Sequence, residues 1–485
     1  MPALAAPRLI VSAAHKSSGK TTVALGLCAA LRARGLAVQP YKKGPDYIDP
    51  LWLGTASGIA CRTLDLHLGS QEQVRSTFLR HAADADVCVV EGNKGLHDGL
   101  ALDGRDSSAA LAASLGLPVI LVIDARGMTR GVAPLLLGMQ AFDRSIRIAG
   151  VILNQVGGTR HEGKLRAAIG RYTDIPVLGA LQADAALRIE EEHLGLVPGN
   201  EAVDARGTIA RIAAAVAAGV DLDTLLCIAR SAPRFEVATP PRDKTPPRRH
   251  ASVSVLRIGI ARDRAFGFYY PDDLDALARA GADLVPFDAL RDSSLPDVDA
   301  LFIGGGFPER CARELSANAS LRAEIRAALA AGLPAYAECG GLMYLARSLA
   351  WRGERVPMVG TIPADAVMHA RPVGRGYVEL AETSAMPWPA RAANAPPLRA
   401  HEFHHSSLEN VAPGLAYAYD VTRGHGIDGH RDGLVIGNLL ASYAHLRGTG
   451  GSDWPARFVA FARAARDEVA RRATAAPERA AGARP

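Results

Sequence analysis

The sequence predicts an α/β protein with two doubly wound, mostly parallel-sheet domains. Short apolar segments of strand length alternate with amphipathic helical segments in both halves of the chain. A Pro- and Arg-rich stretch over 231–252 interrupts this alternation and is typical of an extended linker. The 485 residues are also too many for one hydrophobic core. We therefore expect domains over 1–230 and 253–450, then an Ala/Arg-rich helix with a disordered tail over 451–485.

The first strand of the N-terminal domain leads into a phosphate-binding motif. The apolar segment Arg8–Ala14 precedes Gly-Lys-Thr at 19–21, and the amphipathic segment Val23–Arg34 follows. This order is that of a P-loop, although Ala14 replaces the first glycine of the pattern. In such a loop, N–H groups at the helix N-terminus bind phosphate, the lysine reaches the outer phosphates and the threonine binds Mg²⁺. We expect nucleotide contacts from Ser17, Ser18, Gly19, Lys20, Thr21, Thr22, Lys42 and Asn154.

Acidic residues follow two further predicted strands of the same domain. The strand Leu36–Pro40 leads into loop 41–50, which carries two lysines and two aspartates, and Asp86–Val90 ends at Glu91 before loop 92–99. The carboxyl ends of parallel strands meet at one edge of a sheet, so these loops should converge there. Solvated charged turns are the alternative interpretation. We expect metal ligands at Thr21, Asp46 and Glu91, and substrate contacts at Asp46, Tyr47, Ile48 and Asp98.

The second domain contains a strand-to-helix turn centred on Cys339. The segment Leu333–Leu345 begins as an apolar strand and ends as a helix, and two glycines follow the cysteine. Such a turn presents the thiol, and the helix N-terminus favours thiolate, which predicts a nucleophile. A buried structural cysteine is the alternative. The glycine loop after strand Ala300–Ile303 predicts oxyanion-binding N–H groups at Gly305 and Gly306.

The last third of the chain supplies the candidate bases. His445 closely follows the predicted strand Leu434–Asn438, which places it well to activate Cys339. The segment His401–His405 could instead provide the base through His404, bind a metal, or form a strand with alternating polar and buried faces. We favour His445.

Composition excludes several classes of partner. The net charge of +5 is small for this length, and the linker arginines lack interleaved aromatic residues, so no nucleic-acid partner is expected. No apolar run reaches membrane-spanning length, so no membrane partner is expected. The six cysteines have no regular spacing, which favours reduced thiols and a cytoplasmic location.

In combination, these motifs resemble the cobyrinic acid a,c-diamide synthase family from about Arg8 to Arg447. The resemblance implies an N-terminal P-loop NTPase-like domain, similar to dethiobiotin synthetase, and a C-terminal class I glutamine amidotransferase-like domain. It is carried by Ser17-Ser18-Gly19-Lys20-Thr21-Thr22, Lys43-Gly44-Pro45-Asp46-Tyr47, Glu91-Gly92-Asn93, Leu96-His97-Asp98-Gly99, Gly304-Gly305-Gly306-Phe307-Pro308-Glu309, Glu338-Cys339-Gly340-Gly341, His401-Glu402-Phe403-His404 and Ser442-Tyr443-Ala444-His445.

The resemblance implies a ligase with ATP as co-substrate, Mg²⁺, glutamine and a corrinoid polycarboxylate. Cys339 would take the acyl group of glutamine with help from His445, and ATP would phosphorylate the a and c carboxylates of the corrinoid before ammonia attacks. Ordinary class I enzymes place a glutamate two residues after this histidine, where the present chain has Arg447, so the group that orients His445 stays unidentified. A homodimer is one assembly compatible with this interpretation.

Three alternatives stay open from the sequence. The same chemistry could act on hydrogenobyrinic acid or a nickel tetrapyrrole. A ligase resembling dethiobiotin synthetase would leave Cys339 and the second domain without a role. A non-catalytic P-loop regulatory ATPase normally carries a lysine beside paired glycines, which Lys16-Ser17-Ser18 does not reproduce.

Overall fold

The chain forms two compact units, Met1–Lys244 and Thr245–Pro485. The computed structural model describes residues 3–4, 6–189, 191–192, 195–201, 204–236, 255–392, 394–448 and 452–481. No helix within these ranges is long and apolar enough to cross a membrane.

The first unit is organised around a seven-stranded, all-parallel sheet in the order β3-β2-β4-β1-β5-β6-β7. Its strands are β1 (Arg8–Ala13), β2 (Val38–Lys43), β3 (Arg62–Leu64), β4 (Val87–Glu91), β5 (Val119–Asp124), β6 (Ile148–Val156) and β7 (Val177–Gln182). Its helices are α1 (Lys20–Ala33), α2 (Ile48–Ser57), α3 (Gln71–Ala82), α4 (Ser108–Leu115), α5 (Val132–Phe142), α6 (Thr159–Tyr172), α7 (Ala205–Gly219) and α8 (Leu222–Arg230).

Helices cover both faces of this sheet, which is why its strands are apolar on both sides. Leu9 of β1 belongs to the core shared with α1, α2, α7 and α8. Its neighbour Ile10 belongs to the opposite core, with residues of α3, α4, α5 and α6. Because β2, β4 and β1 are adjacent, the loops after them meet at one edge.

The second unit combines a nine-stranded mixed sheet, in the order β9-β8-β10-β11-β20-β19-β18-β15-β16, with a four-stranded sheet, β13-β12-β14-β17. The strands are β8 (Leu256–Ala261), β9 (Ala282–Phe287), β10 (Ala300–Ile303), β11 (Ala335–Glu338), β12 (Ala346–Trp351), β13 (Glu354–Pro357), β14 (Ile362–Met368), β15 (Gly374–Glu382), β16 (Leu398–His404), β17 (Ser406–Glu409), β18 (Ala416–Arg423), β19 (Arg431–Ile436) and β20 (Leu439–Ser442). The helices are α9 (Pro271–Arg279), α10 (Ala312–Ala317), α11 (Ala319–Ala330), α12 (Gly340–Leu345) and α13 (Trp454–Ala481).

The predicted α/β fold class is confirmed for both units. Strands β9, β8, β10, β11 and β20 pair in parallel, whereas β19, β18, β15 and β16 extend the sheet antiparallel. The antiparallel half was not anticipated, because after Cys339 the sequence predicted one strand, Leu434–Asn438, with His401–His405 as a possible second.

Two segments differ in detail from the prediction. Within 451–485, where a helix with a disordered tail was expected, α13 runs from Trp454 to Ala481. Within the predicted linker 231–252, Phe235–Glu236 forms a short strand paired with Ala3–Leu4 of the same unit. The remainder of that linker lies outside the described residues.

Candidate active sites

The phosphate loop lies between β1 and α1 and is held by Asn154 at the end of β6. Gly19 adopts a left-handed φ of 89°, and a Cβ there would lie 2.0 Å from Asn154 Nδ2. The same amide nitrogen donates a hydrogen bond to the Ser18 carbonyl oxygen at 3.0 Å. This close approach explains why glycine is needed at position 19. It also gives Asn154 a direct structural contact with the loop.

A cluster of charged side chains lies beside this loop, where β2 and β4 end. Lys42 Nζ is 2.5 Å from Asp49, 3.1 Å from Glu91 and 3.9 Å from Asp46. Thr21 Oγ1 donates a hydrogen bond to Glu91 Oε1 at 2.6 Å. The structure therefore brings together Thr21, Lys42, Asp46 and Glu91. The sequence predicted that the loops carrying Asp46 and Glu91 would meet at one edge of the sheet.

The electrostatics of the cluster reflect an excess of carboxylates over cations. Burial, followed by the charge of Asp49, raises the pKa of Asp46 to about 7, against the opposing effect of Lys42. Burial likewise raises the pKa of Glu91 to about 7. Burial lowers the pKa of Lys42, but the three carboxylates outweigh it and raise that pKa above its ordinary value. The raised pKa values mean that the ionised forms of these buried carboxylates are disfavoured here. A further cation bound beside them would stabilise the ionised forms.

A cavity of about 1500 Å³ opens from the phosphate loop. Its lining includes Lys16, Ser17, Gly19, Lys20, Thr21, Thr22, Lys42, Glu91 and Asn154. It continues past Trp52 toward Arg188 and Arg211. The cavity is large enough for a nucleotide together with part of a second ligand.

The four predicted substrate residues do not line this cavity. Asp46 Oδ1 accepts hydrogen bonds from the backbone N–H groups of Ile48 and Asp49, at the start of α2. Asp98 Oδ2 accepts from the Gly95 N–H group at 3.0 Å. Tyr47 is the N-cap residue of α2 and Ile48 is its first residue. Both aspartates therefore support turns, and their contact with substrate stays a prediction.

Asp49 is the member of the charged cluster that the sequence analysis did not select. It lies one turn after Asp46 in the first turn of α2, and its side chain pairs with Lys42 and accepts a long bond, 3.4 Å, from Thr21 Oγ1. The sequence did show both aspartates of loop 41–50. Which of them faces Lys42 depends on where α2 begins, and the sequence did not specify that residue.

The Cys339 turn has the geometry of a nucleophile elbow. Cys339 has φ 45° and ψ −96°, an unusual conformation for a residue with a Cβ, and it lies between β11 and α12. A Cβ on Gly340 would lie 2.9 Å from the Gly306 backbone nitrogen, and one on Gly341 would lie 2.1 Å from the Ile303 carbonyl oxygen. The glycine loop after β10 therefore packs directly against the turn, and its role in binding an oxyanion stays a prediction.

His445 is the histidine that reaches Cys339. Burial lowers the pKa of His445, but hydrogen bonds to Cys339 and to Glu338, together with their negative charge, outweigh it and raise that pKa to about 10. His445 Nδ1 lies 3.2 Å from Glu338 Oε2. A Cβ on Gly305 would lie 2.6 Å from His445 Cε1, so the glycine loop also borders the imidazole. Thiol, imidazole and carboxylate are thus in one buried row.

The segment His401–His405 lies at the end of a strand and does not supply the base. His404 stacks on Tyr443 with ring centroids 3.8 Å apart, and its Nδ1 lies 2.8 Å from the Ser406 carbonyl oxygen. The segment ends strand β16, and the described residues hold no group of three metal-ligating side chains there. The alternating-strand interpretation is therefore the one that fits.

Comparison with known proteins agrees with this two-site architecture. Residues 10–197 match the family described as CobQ/CobB/MinD/ParA nucleotide binding domain, and residues 257–450 match the CobB/CobQ-like glutamine amidotransferase domain. A cobyrinate a,c-diamide synthase of Magnetococcus marinus is 46% identical to this chain, covering 92% of this chain and 95% of the relative. The chain belongs to the cobyrinate a,c-diamide synthase family.

Further members support the same assignment across almost the whole length. The cobyrinate a,c-diamide synthase of Methanosarcina acetivorans is 40% identical over 91% of this chain and 92% of the relative. That of Listeria innocua is 39% identical over 90% of this chain and 96% of the relative. The predicted family is confirmed, and with it the enzyme class, a glutamine-hydrolysing carbon–nitrogen ligase.

Proposed function

We propose that this chain amidates the a and c side-chain carboxylates of cobyrinic acid, with ATP as co-substrate and glutamine as nitrogen donor. The observation that carries the proposal is the near full-length similarity to relatives of that name, at 46% and 40% identity. The coexistence of a phosphate loop and a thiol–imidazole pair in one chain supports it, since the reaction needs both.

The first unit would activate the carboxylate. Hydroxide is a poor leaving group, so a carboxylate oxygen attacks the γ-phosphorus of ATP, the bond to the β-phosphate oxygen breaks and ADP leaves. Ammonia then attacks the acyl carbon of the resulting acyl phosphate. Phosphate departs with the electron pair of the C–O bond, and the surplus proton passes to solvent. Lys20, the first residue of α1, is placed to offset charge on the transferring phosphoryl group.

The residues around Lys42 fit Mg²⁺. Mg²⁺ prefers oxygen ligands, and Thr21, Asp46, Asp49 and Glu91 offer a hydroxyl and three carboxylates. Glu91 Oε2 is buried and has no hydrogen-bond partner among the described residues, so one ligand position is open. A bound ion would neutralise phosphate charge and polarise the γ-phosphate. Lys42, which pairs with Asp49 and Glu91, would offset the mutual repulsion of these carboxylates and keep them in position.

The second unit would release ammonia. The Cys339 thiolate attacks the side-chain carbonyl carbon of glutamine, and the imidazole of His445 returns the thiol proton to the departing nitrogen. The carbon–nitrogen bond breaks, ammonia leaves, and water hydrolyses the thioester to give glutamate. Backbone N–H groups of Gly305 and Gly306 are proposed to stabilise the tetrahedral oxyanion.

The test is an amidation assay with purified enzyme, ATP, Mg²⁺ and glutamine. Cobyrinic acid should be converted to a diamide with formation of ADP, phosphate and glutamate. Preferential conversion of hydrogenobyrinic acid or of a nickel tetrapyrrole would keep the chemistry and replace the proposed substrate. ATP hydrolysis without amidation of any of these tetrapyrroles would contradict the proposal and favour a regulatory ATPase.

Asp46 and Asp98 provide a narrower test of the substrate site. We expect Asp46→Asn and Asp98→Asn to keep glutaminase activity but lose corrinoid amidation by roughly a hundredfold, since small errors of position at a reacting centre are costly. Asparagine retains an acceptor oxygen for the turn N–H groups, whereas it removes the charge that a metal ion or a substrate contact requires. Amidation and glutaminase rates are measured on the same preparations.

Asp221→Asn is the matched control, because Asp221 caps α8 through the N–H groups of Asp223 and Thr224, outside the charged cluster. Losing a cap costs about 1 kcal/mol in stability without a specific kinetic effect. If both Asp46→Asn and Asp98→Asn amidate the corrinoid at the wild-type rate, their loops have only a structural role and the substrate binds elsewhere.

A further inference from the structure

The carboxylate of Glu338 is fully engaged at the glutamine site. Its Oε2 lies 3.2 Å from His445 Nδ1. Its Oε1 accepts hydrogen bonds from the Leu446 backbone N–H group at 3.0 Å and from the Tyr336 hydroxyl at 2.6 Å. Glu338 is only 3% exposed, so these contacts are shielded from competing water. One side chain thus holds both the ring of His445 and the backbone next to it.

The position expected to carry the orienting carboxylate is occupied by a group of opposite charge. Arg447 is buried, its guanidinium lies 3.5 Å from Asp272, and it stacks over the ring of Tyr270 at 4.5 Å. A guanidinium has no hydrogen-bond acceptor, so it cannot accept a hydrogen bond from an imidazole N–H group. The carboxylate that His445 contacts instead comes from the residue immediately before the nucleophile.

We propose that Glu338 orients His445 and completes a Cys339–His445–Glu338 triad. The inference rests on the proposed roles of Cys339 and His445. By accepting from Nδ1–H, the carboxylate fixes the tautomer that leaves Nε2 unprotonated toward the thiol, and it stabilises the imidazolium formed when the thiol proton transfers. Glu338 is a positioning residue, because it acts through the imidazole and does not touch the substrate.

The sheet explains how a residue 107 positions away reaches His445. Strand β11 ends at Glu338 and pairs in parallel with β20, with Glu338 opposite Ser442. The turn that follows β20 therefore passes directly over the carboxylate. Nucleophile and orienting group come from consecutive residues of one strand end, and the base comes from the neighbouring strand end.

Among the described residues, Glu338 and Cys339 are the groups whose charge raises the pKa of His445. His401 pairs with His445 through the backbone, and burial followed by the charge of His445 lowers the pKa of His401 to about 3, so His401 is neutral near pH 7. The Tyr336 hydroxyl, which donates a hydrogen bond to Glu338, is uncharged because burial raises its pKa well above the ordinary value. Glu338 is consequently the carboxylate that bears on the imidazole.

The test is Glu338→Gln in the full-length protein. The glutamine oxygen can keep the bonds from Leu446 N–H and Tyr336, which places the amide NH₂ against His445 Nδ1. That group donates to Nδ1 and so favours the tautomer with a proton on Nε2, facing the thiol. We expect glutaminase kcat to fall by roughly 10²- to 10⁴-fold, with ammonia-dependent amidation unchanged.

The discriminating measurement is the rate of alkylation of Cys339 by iodoacetamide as a function of pH. Loss of the Glu338 charge should reduce the rate at pH 7 by about tenfold and displace the rising limb by about one pH unit upward. Asp432→Asn is the control, since Asp432 anchors the same turn through the backbone N–H groups of Tyr443 and Ala444. Asp432→Asn should leave the position of the rising limb unchanged.

The outcomes separate the inference from the proposed function. The inference would be wrong if the pH dependence of Cys339 alkylation were unchanged in Glu338→Gln. It would also be wrong if Asp432→Asn displaced the rising limb by the same amount, because Glu338 would then have only a structural role. If Cys339→Ser retained glutaminase activity, the proposed thiol site itself would fail. Should Asp432→Asn not fold, Tyr336→Phe serves as the control, because it removes one hydrogen bond to Glu338 and leaves the contact with His445.

Discussion

Cys339→Ser is expected to abolish glutamine-dependent amidation while leaving amidation with ammonium salts near the wild-type rate. A serine hydroxyl stays protonated at neutral pH and is a much weaker nucleophile than a thiolate. The acyl-transfer step should therefore slow by about 10³-fold or more. The ATP chemistry is assigned to the phosphate loop of the first unit, which the substitution does not touch. The measurement is corrinoid amide formation with saturating glutamine or with saturating ammonium chloride.

Cys227→Ser is the matched control, because Cys227 is an exposed thiol in the first unit. It should keep both activities and show that loss of a thiol alone has no effect. Equal loss with both nitrogen donors, in a Cys339→Ser protein of normal thermal stability, would show that Cys339 is needed for the synthetase reaction as well. The proposed division of labour would then be wrong.

Local motifs were the part of the site that the sequence could predict. The phosphate loop and the Cys339 turn are each encoded within about fifteen residues, where an apolar strand, glycines that permit tight turns and a helical segment succeed one another. The alternation of strands and helices also predicted a parallel sheet whose loops meet at one edge. That is why Thr21 and Glu91 were expected near each other before their contact was known.

Contacts that depend on the register of strand pairing could not be predicted from the sequence. Glu338 meets His445 because β11 pairs with β20 in a particular register, and no periodicity of either segment specifies that pairing. Asp46 illustrates a different limit. An aspartate before a helix can cap it, bind a cation or do both, and the residue type is the same in each case. The structure shows that Asp46 accepts hydrogen bonds from the N–H groups of Ile48 and Asp49 at the start of α2, and its relation to substrate stays a prediction.

Lys20→Ala and Glu91→Gln are each expected to stop amidation with either nitrogen donor. Both residues line the cavity beside the phosphate loop and would act on ATP before ammonia arrives. Removing the Lys20 ammonium leaves phosphoryl charge unbalanced, and Glu91→Gln removes a buried carboxylate from the proposed Mg²⁺ site. Losing one such electrostatic contact costs about 10²- to 10³-fold in rate. Glutaminase activity at Cys339 should survive in both variants.

The decisive condition for this prediction is saturating ammonium chloride, where release of nitrogen from glutamine no longer limits the rate. Lys164→Ala is the control, since Lys164 is an exposed lysine of α6 in the same unit. Direct binding of ATP, measured by calorimetry with and without Mg²⁺, separates the two roles. Lys20→Ala should weaken binding in both conditions, whereas Glu91→Gln should mainly reduce the gain that Mg²⁺ provides. Near-normal amidation by either variant under saturating ammonia would remove that residue from the proposed ATP site.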